Sequence, residues 1–213
     1  MTELLLARHG ETAWNVEGRY QGHLDIDLND TGRQQAQQLA ALVAAQHARE
    51  PIDALISSDL ARAFHTAQPV AEQLGLPIAT DPRLRERHLG ALQGHTREDN
   101  ARLNAEAHTR MLEAHYALPG GGESQQQFHD RVHAALFDIA RRHVGRRVLI
   151  VTHGGVLAMA WRIAIRVAVD APRAVPILNA SLNALDFDGT QLAIRYWGET
   201  GHLDRVLDEA ARI

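Results

Sequence analysis

Arg8 and His9 stand between the apolar run Leu4-Leu5-Leu6-Ala7 and Gly10-Glu11-Thr12, so an arginine and a histidine leave the end of a short strand together. In an α/β sheet, the loops at the carboxyl ends of the strands line the crevice where ligands sit. An imidazole can attack phosphorus once one ring nitrogen is held as an N–H donor, and guanidinium forks bind phosphoryl oxygens two at a time. The pair therefore suggests phosphoryl transfer through a phosphohistidine. His153 follows Val148–Thr152 as His9 follows the first strand, which should bring both imidazoles to one sheet edge. Gly154-Gly155 behind it would let the backbone approach an anion at a helix start. Taken singly these signals are weak, because an Arg-His pair after a strand is common and a histidine there is more often structural.

The elements that must position these residues are readable from periodicity. Apolar runs bounded by turn residues predict strands at Glu3–Ala7, Ala54–Ser57, Ile78–Thr80 and Val148–Thr152, with a late pair at Ser181–Phe187 and Leu192–Trp197 joined by Asp188-Gly189-Thr190 as a hairpin. Helical stripes run over Arg33–Gln46 (Ala36, Leu39, Ala40, Val43), over Leu60–Leu74 with Asp59 as its cap, and over Ser124–His143 (Phe128, Val132, Ala135, Leu136, Ile139). Alternating strands and helices predict an α/β three-layer sandwich: a mostly parallel central sheet, helices on both faces and an antiparallel edge strand. The polar, helix-prone segment at about 91–120 reads as a cap inserted in a single domain spanning 1–213. Within it Arg97, Arg102 and Arg110 read individually as solvated side chains.

Composition narrows the chemistry. The 213 residues contain no cysteine, which excludes disulfides, thiolate metal sites and cysteine-based phosphatase chemistry. All 22 basic residues are arginine; without a lysine there is no Walker-type phosphate loop and no Schiff base. A net charge of −4 supplies no field for nucleic acid, so an anionic substrate must be captured by local arginines. The most apolar late segment, Gly155 to Val169, is broken by Arg162 and Arg166, and no leader-like start is present, so no membrane partner and a cytoplasmic location are expected. His129 and His133 are spaced for a metal but lack a third ligand, and no metal is expected. Asp25-Ile26-Asp27 lies in a loop away from any strand end and is set aside as a catalytic aspartate pair.

The blocks that follow one another down the chain are more specific than any one of them. After the first come Asn15, Gly18-Arg19, Gln21-Gly22, Leu28 and Thr31-Gly32; then Ser57-Ser58-Asp59-Leu60-Ala61-Arg62-Ala63, Thr66-Ala67 and Leu84-Arg85-Glu86-Arg87-His88-Leu89-Gly90; then Pro119-Gly120-Gly121-Gly122-Glu123-Ser124 and Val151-Thr152-His153-Gly154-Gly155. In this order they resemble the histidine phosphatase superfamily, the phosphoglycerate mutase-like family. The resemblance implies His9 as nucleophile, with its other ring nitrogen tied to a backbone carbonyl. Arg8, Arg62 and His153 would form the phosphate pocket, with Asn15 as a neutral donor, and Glu86 is the matched proton donor. Gln21, Gly22, Gly154 and His202 are the further substrate-binding candidates. Without the resemblance, Glu86 could equally pair with Arg85 or Arg87, and Glu11 could orient an arginine or sit exposed.

The family contains hydrolases and mutases with the same inner residues. Cofactor-dependent phosphoglycerate mutases carry a lysine and paired arginines in the insertion after the acid, and a Gly-Asn-Ser type sequence after the second histidine. Here there is no lysine, Arg110 stands alone before Met111, and Gly154-Gly155-Val156 follows His153. The resemblance thus implies a metal-independent phosphomonoesterase with a small phosphorylated metabolite as partner and no cofactor. The alternative is a mutase primed by 2,3-bisphosphoglycerate, and a remoter one is an inactive phosphoester-binding module. Related proteins are often dimers, which leaves a homodimer open.

Overall fold

The protein is described by a computed structural model that covers residues 1–204. Its sheet has six strands: β1 (Thr2–Arg8), β2 (Ala54–Ser57), β3 (Ile78–Thr80), β4 (Arg147–Thr152), β5 (Leu182–Phe187) and β6 (Leu192–Glu199), in the order β3-β2-β4-β1-β5-β6. β1, β2, β3 and β4 pair in parallel, whereas β5 runs antiparallel to both β1 and β6. β5 is the reversed strand, and its hairpin with β6 closes this edge of the sheet antiparallel, as expected from the sequence.

The helices are α1 (Ala13–Glu17), α2 (Asp30–His47), α3 (Ala61–Leu74), α4 (Arg97–Leu103), α5 (Ala105–Arg110), α6 (Gln125–Arg142) and α7 (Gly154–Ile165). Central β1 is buried on both faces, which explains its unbroken apolar run. The strand period of two splits it: Leu4 and Leu6 pack with Phe128 and Val132 of α6 and Val156 and Leu157 of α7. Leu5 and Ala7 pack on the other face with Leu39 and Val43 of α2 and Ala63, Ala67 and Val70 of α3. Every residue named for the stripes of α2 and α6 is buried. A smaller cluster of Leu92, Ala107 and Leu118, with Tyr20, Leu89, Met111 and Tyr116 against it, ties the α4–α5 segment over the sheet edge.

Helix starts are set by side-chain caps, with one departure from expectation. Ser124 and Gln127 form a capping box at α6, and Asn29 caps α2. Asp59 does not cap α3; its carboxylate holds Arg85 at 2.7 and 2.5 Å. The first N–H of that helix, at Ala61, instead donates to Asp25 Oδ1 at 2.7 Å. A two-pronged Arg85 fork outcompetes a single capping bond for Asp59, and the Asp25 loop supplies the missing acceptor.

Candidate active site

β1 and β4 are adjacent and parallel in a register that sets Arg8 opposite Thr152, so the next residues, His9 and His153, leave the sheet side by side. Their ring centroids are 5.2 Å apart in an edge-to-face arrangement, and both residues are buried. His9 Nδ1 donates to the Gly10 carbonyl at 2.7 Å. That bond places the ring proton on Nδ1 and leaves the lone pair on Nε2. The His9 backbone is held from three sides: its N–H donates to Thr152, and its carbonyl accepts from Asn179 Nδ2 and from the Ala180 N–H. Gly10 donates to Thr66 Oγ1, and a Cβ there would lie 2.5 Å from the Gly32 carbonyl, so only glycine permits this approach to α2.

Arginines surround the exposed face of His9. Arg62, in the first turn of α3, is almost wholly buried and donates to the carbonyls of Gly22 and Leu24. Arg8 is fixed by a 2.7 Å bond from Nη1 to the Ile177 carbonyl. A cavity of about 160 Å³ opens here, lined among others by Arg8, His9, Asn15, Gln21, Gly22, Arg62 and Glu86. Arg8, Arg19, Arg62 and Arg97 all line it, with Glu86 the one acidic residue among the described lining residues, and such a lining suits a doubly charged phosphoryl group. Asn15 Oδ1 is committed to Thr12 in the capping box of α1, which fixes the amide at the cavity wall. His153 is wholly buried against His9 and does not itself line the cavity; its Nε2 lies 2.8 Å from Ser58 Oγ, and its buried Nδ1 has no partner among the described residues.

Glu86 is placed by backbone alone. Its carboxylate accepts from the Arg87 N–H at 2.8 Å through Oε1 and from the Gly155 N–H at 2.9 Å through Oε2. Arg85 is occupied by Asp59, and the Arg87 guanidinium lies on the Glu123 and Met111 carbonyls, so neither neighbouring arginine ion-pairs with it. The carbonyl of Glu86 in turn accepts from His23 Nε2 and Arg131 Nη2, and Arg131 also holds the carbonyls of Arg83 and Arg85. Gly155 is indispensable to this pose, because a Cβ on it would lie 2.0 Å from Glu86 Oε1.

Residues 4–200 match the model of the histidine phosphatase superfamily, branch 1. The chain belongs to this family. It is 42% identical over 208 residues to phosphoglycerate mutase-like protein 4 of Arabidopsis thaliana, covering 96% of this chain and 88% of that protein. It is 40% identical over 209 residues to the metal-independent phosphoserine phosphatase of the same plant, covering 97% and 85%. Among solved structures, YhfR of Bacillus stearothermophilus superposes with a TM-score of 0.84 at 34% identity, covering 95% of this chain and 99% of that one. A histidine phosphatase is a hydrolase, and the six-stranded α/β architecture described above is the one these neighbours share.

Within this histidine phosphatase the cluster is electrostatically set for neutral imidazoles. Burial, then the charges of Arg62 and Arg8, hold the His9 pKa well below the usual histidine range, outweighing the Gly10 hydrogen bond. Burial, then Arg62 and His9, do the same to His153. Not every candidate converges. His202 lines neither this cavity nor the larger one beside it; its Nε2 donates to the Ala180 carbonyl at 3.1 Å, behind the loop that holds His9. Gly154 lines the larger cavity, next to the Arg8 guanidinium. Arg97, read from sequence as solvated, is exposed and also borders the phosphoryl cavity, because α4 folds back over the sheet edge. Arg110 does face solvent, paired with Glu106 and Glu113 and stacked on Tyr116. Glu11 is buried and neither orients an arginine nor sits exposed; its Oε1 accepts from Asn29. Among the described residues no group of three or more histidine, aspartate or glutamate side chains is placed to hold a metal, and no helix is long and apolar enough to cross a membrane.

Proposed function

We propose that the protein is a metal-independent phosphomonoesterase for small phosphorylated metabolites, working through a phosphohistidine at His9. The observation that carries this reading is the Nδ1-to-Gly10 bond, which points a lone pair of an unprotonated imidazole into a cavity ringed by arginines. Arg8, Arg62 and the Asn15 amide hold the phosphoryl oxygens, and His153 supports the site through its edge-to-face contact with His9. As His9 Nε2 bonds to phosphorus and the ester P–O bond breaks, Glu86 gives a proton to the departing oxygen. Water then attacks the phosphohistidine and returns a proton to Glu86, which releases inorganic phosphate and restores both residues. Gln21 and Gly22 form the rim, where the Gly22 carbonyl fixes Arg62.

Rapid quenching of the enzyme with a 32P-labelled monoester should trap an acid-labile, base-stable phosphohistidine, absent in His9→Ala. Release of phosphate without any labelled protein sinks the covalent route. Hydrolysis is separated from mutase action with 3-phosphoglycerate primed by 2,3-bisphosphoglycerate. Phosphate release should dominate, and isomerisation faster by orders of magnitude would make the protein a mutase with the same inner residues. The exposed Arg110, tied up by two glutamates, favours release.

A further inference from the structure

Beside the phosphoryl cavity lies a larger one of about 490 Å³, and the two share Arg8, Glu86 and Leu89. Glu86 stands on the common wall. An ester with its phosphoryl group on His9 and its bridging oxygen toward Glu86 can therefore extend into this second space. The walls there are largely apolar, formed by Leu89, Met111, Leu112, Phe128, Met159 and Ile177. Two of its arginines are taken up by backbone: Arg87 by the Glu123 and Met111 carbonyls, and Arg162 by those of Ala158 and Ala171. Asp170 and Arg173 also line it and carry opposite charges. Gln125 sits at the start of α6, only 7% exposed, with a buried Oε1 that has no hydrogen-bond partner among the described residues. A buried acceptor without a donor is costly, so a ligand that brings one is favoured over a ligand that does not.

We propose, resting on the phosphatase reading above, that the enzyme selects monoesters with a bulky, mainly apolar leaving group bearing a hydroxyl or amine that donates to Gln125 Oε1. Clefts of roughly 300–1,000 Å³ with apolar walls and a few placed polar groups enclose ligands of drug size. A compact, charged leaving group such as serine or glycerate would fill a minor part of this space and meet hydrocarbon on most sides.

The test compares kcat/KM for unactivated alkyl phosphates: O-phospho-L-serine, 2-phenylethyl phosphate, and its 3- and 4-hydroxyphenyl analogues. The phenylethyl ester should exceed phosphoserine by at least about tenfold. One of the hydroxylated esters should exceed the parent by roughly threefold to tenfold, and this advantage should vanish in Gln125→Met, which keeps the volume and removes the acceptor. Met159→Trp, which narrows the cavity, should lower the ratio of phenylethyl ester to phosphoserine. Preference for phosphoserine, no gain from either hydroxyl, or a gain that survives in Gln125→Met overturns the proposal. Hydrolysis of none of the four by the folded protein refutes the phosphatase reading itself and takes this inference with it.

Discussion

Gly155→Ala is a one-atom test of how Glu86 is held. The new Cβ would lie 2.0 Å from Oε1, 2.9 Å from Cδ and 3.1 Å from Phe128 Cε1. Phe128 can yield by a few tenths of an ångström, but the carboxylate cannot stay. It is the far end of a flexible side chain, so it swings away and gives up the N–H groups of Gly155 and Arg87. Hydrogen bonds to a charged acceptor contribute about 1.5–3 kcal/mol each, and a carboxylate that reaches water recovers most of this, so stability should fall by only about 1–3 kcal/mol. The chemical cost is larger. A displaced general acid forfeits roughly 10²–10⁴ in rate where the leaving oxygen needs a proton. An alkyl phosphate should therefore lose that much in kcat/KM, whereas p-nitrophenyl phosphate, whose leaving group departs as a stable anion, should lose far less. Glu86→Gln should show the same split without the steric change. The assay is steady-state kinetics on the two esters, with thermal denaturation to confirm the fold. Alkyl phosphate turnover within threefold of wild type, or equal losses on both esters, would refute the role given to Glu86 and to the glycine that makes room for it.

His9→Ala should lose turnover below detection while keeping the fold, because the residue sits at the sheet edge; circular dichroism and phosphate release check both. Exhaustive chelation should leave activity intact, since arginines surround the phosphoryl site, and loss restored by a divalent ion would contradict this. His9 and His153 are both depressed below the ordinary histidine pKa, so the unfolded chain binds the extra protons: stability is full above pH 6.5 and falls as pH drops below it, levelling once the folded-state pKa values are passed. The slope should approach about 1.4 kcal/mol per pH unit for each histidine, and an unchanged urea midpoint between pH 7.5 and 5.5 would refute it. For the same reason the acid limb of kcat/KM should lie below pH 6.5.

The strands and the stripes of α2, α3 and α6 were legible because each buries one face, and burial of one face writes its period into the sequence. α7 announced only its start, at Gly154-Gly155. Its body is apolar nearly all round, with Val156, Leu157, Met159, Ala160 and Trp161 all buried, so it carries no stripe to read. That His9, Arg62 and Glu86 meet at one cavity was legible, because their residue types suit one chemical task. Arg131 and His23, which pin the Glu86 loop, were not, because they bind carbonyl oxygens that any residue could supply. Asn179 on the His9 carbonyl escaped for the same reason. Arg97 is exposed, as its charge pattern indicated, but that pattern could not say that it also borders the phosphoryl cavity.

The cap also bears on why water, and not a second hydroxyl of a retained intermediate, should receive the phosphoryl group. Retention needs a grip on the intermediate's far end that outlasts its reorientation. In a phosphoglycerate that end is a carboxylate, and the grip must be cationic. Here the arginine that the cap turns toward the chemistry is Arg97, and it faces the phosphoryl side. Around the larger cavity, Arg87 and Arg162 are held by carbonyls, while Met111 and Leu112 present hydrocarbon. Moving either arginine onto a substrate carboxylate would strip buried carbonyls of their donors, a loss comparable with the bond gained. An alcohol set free in such a cavity is held by apolar contact, which leaves easily, and the phosphohistidine is then exposed to water.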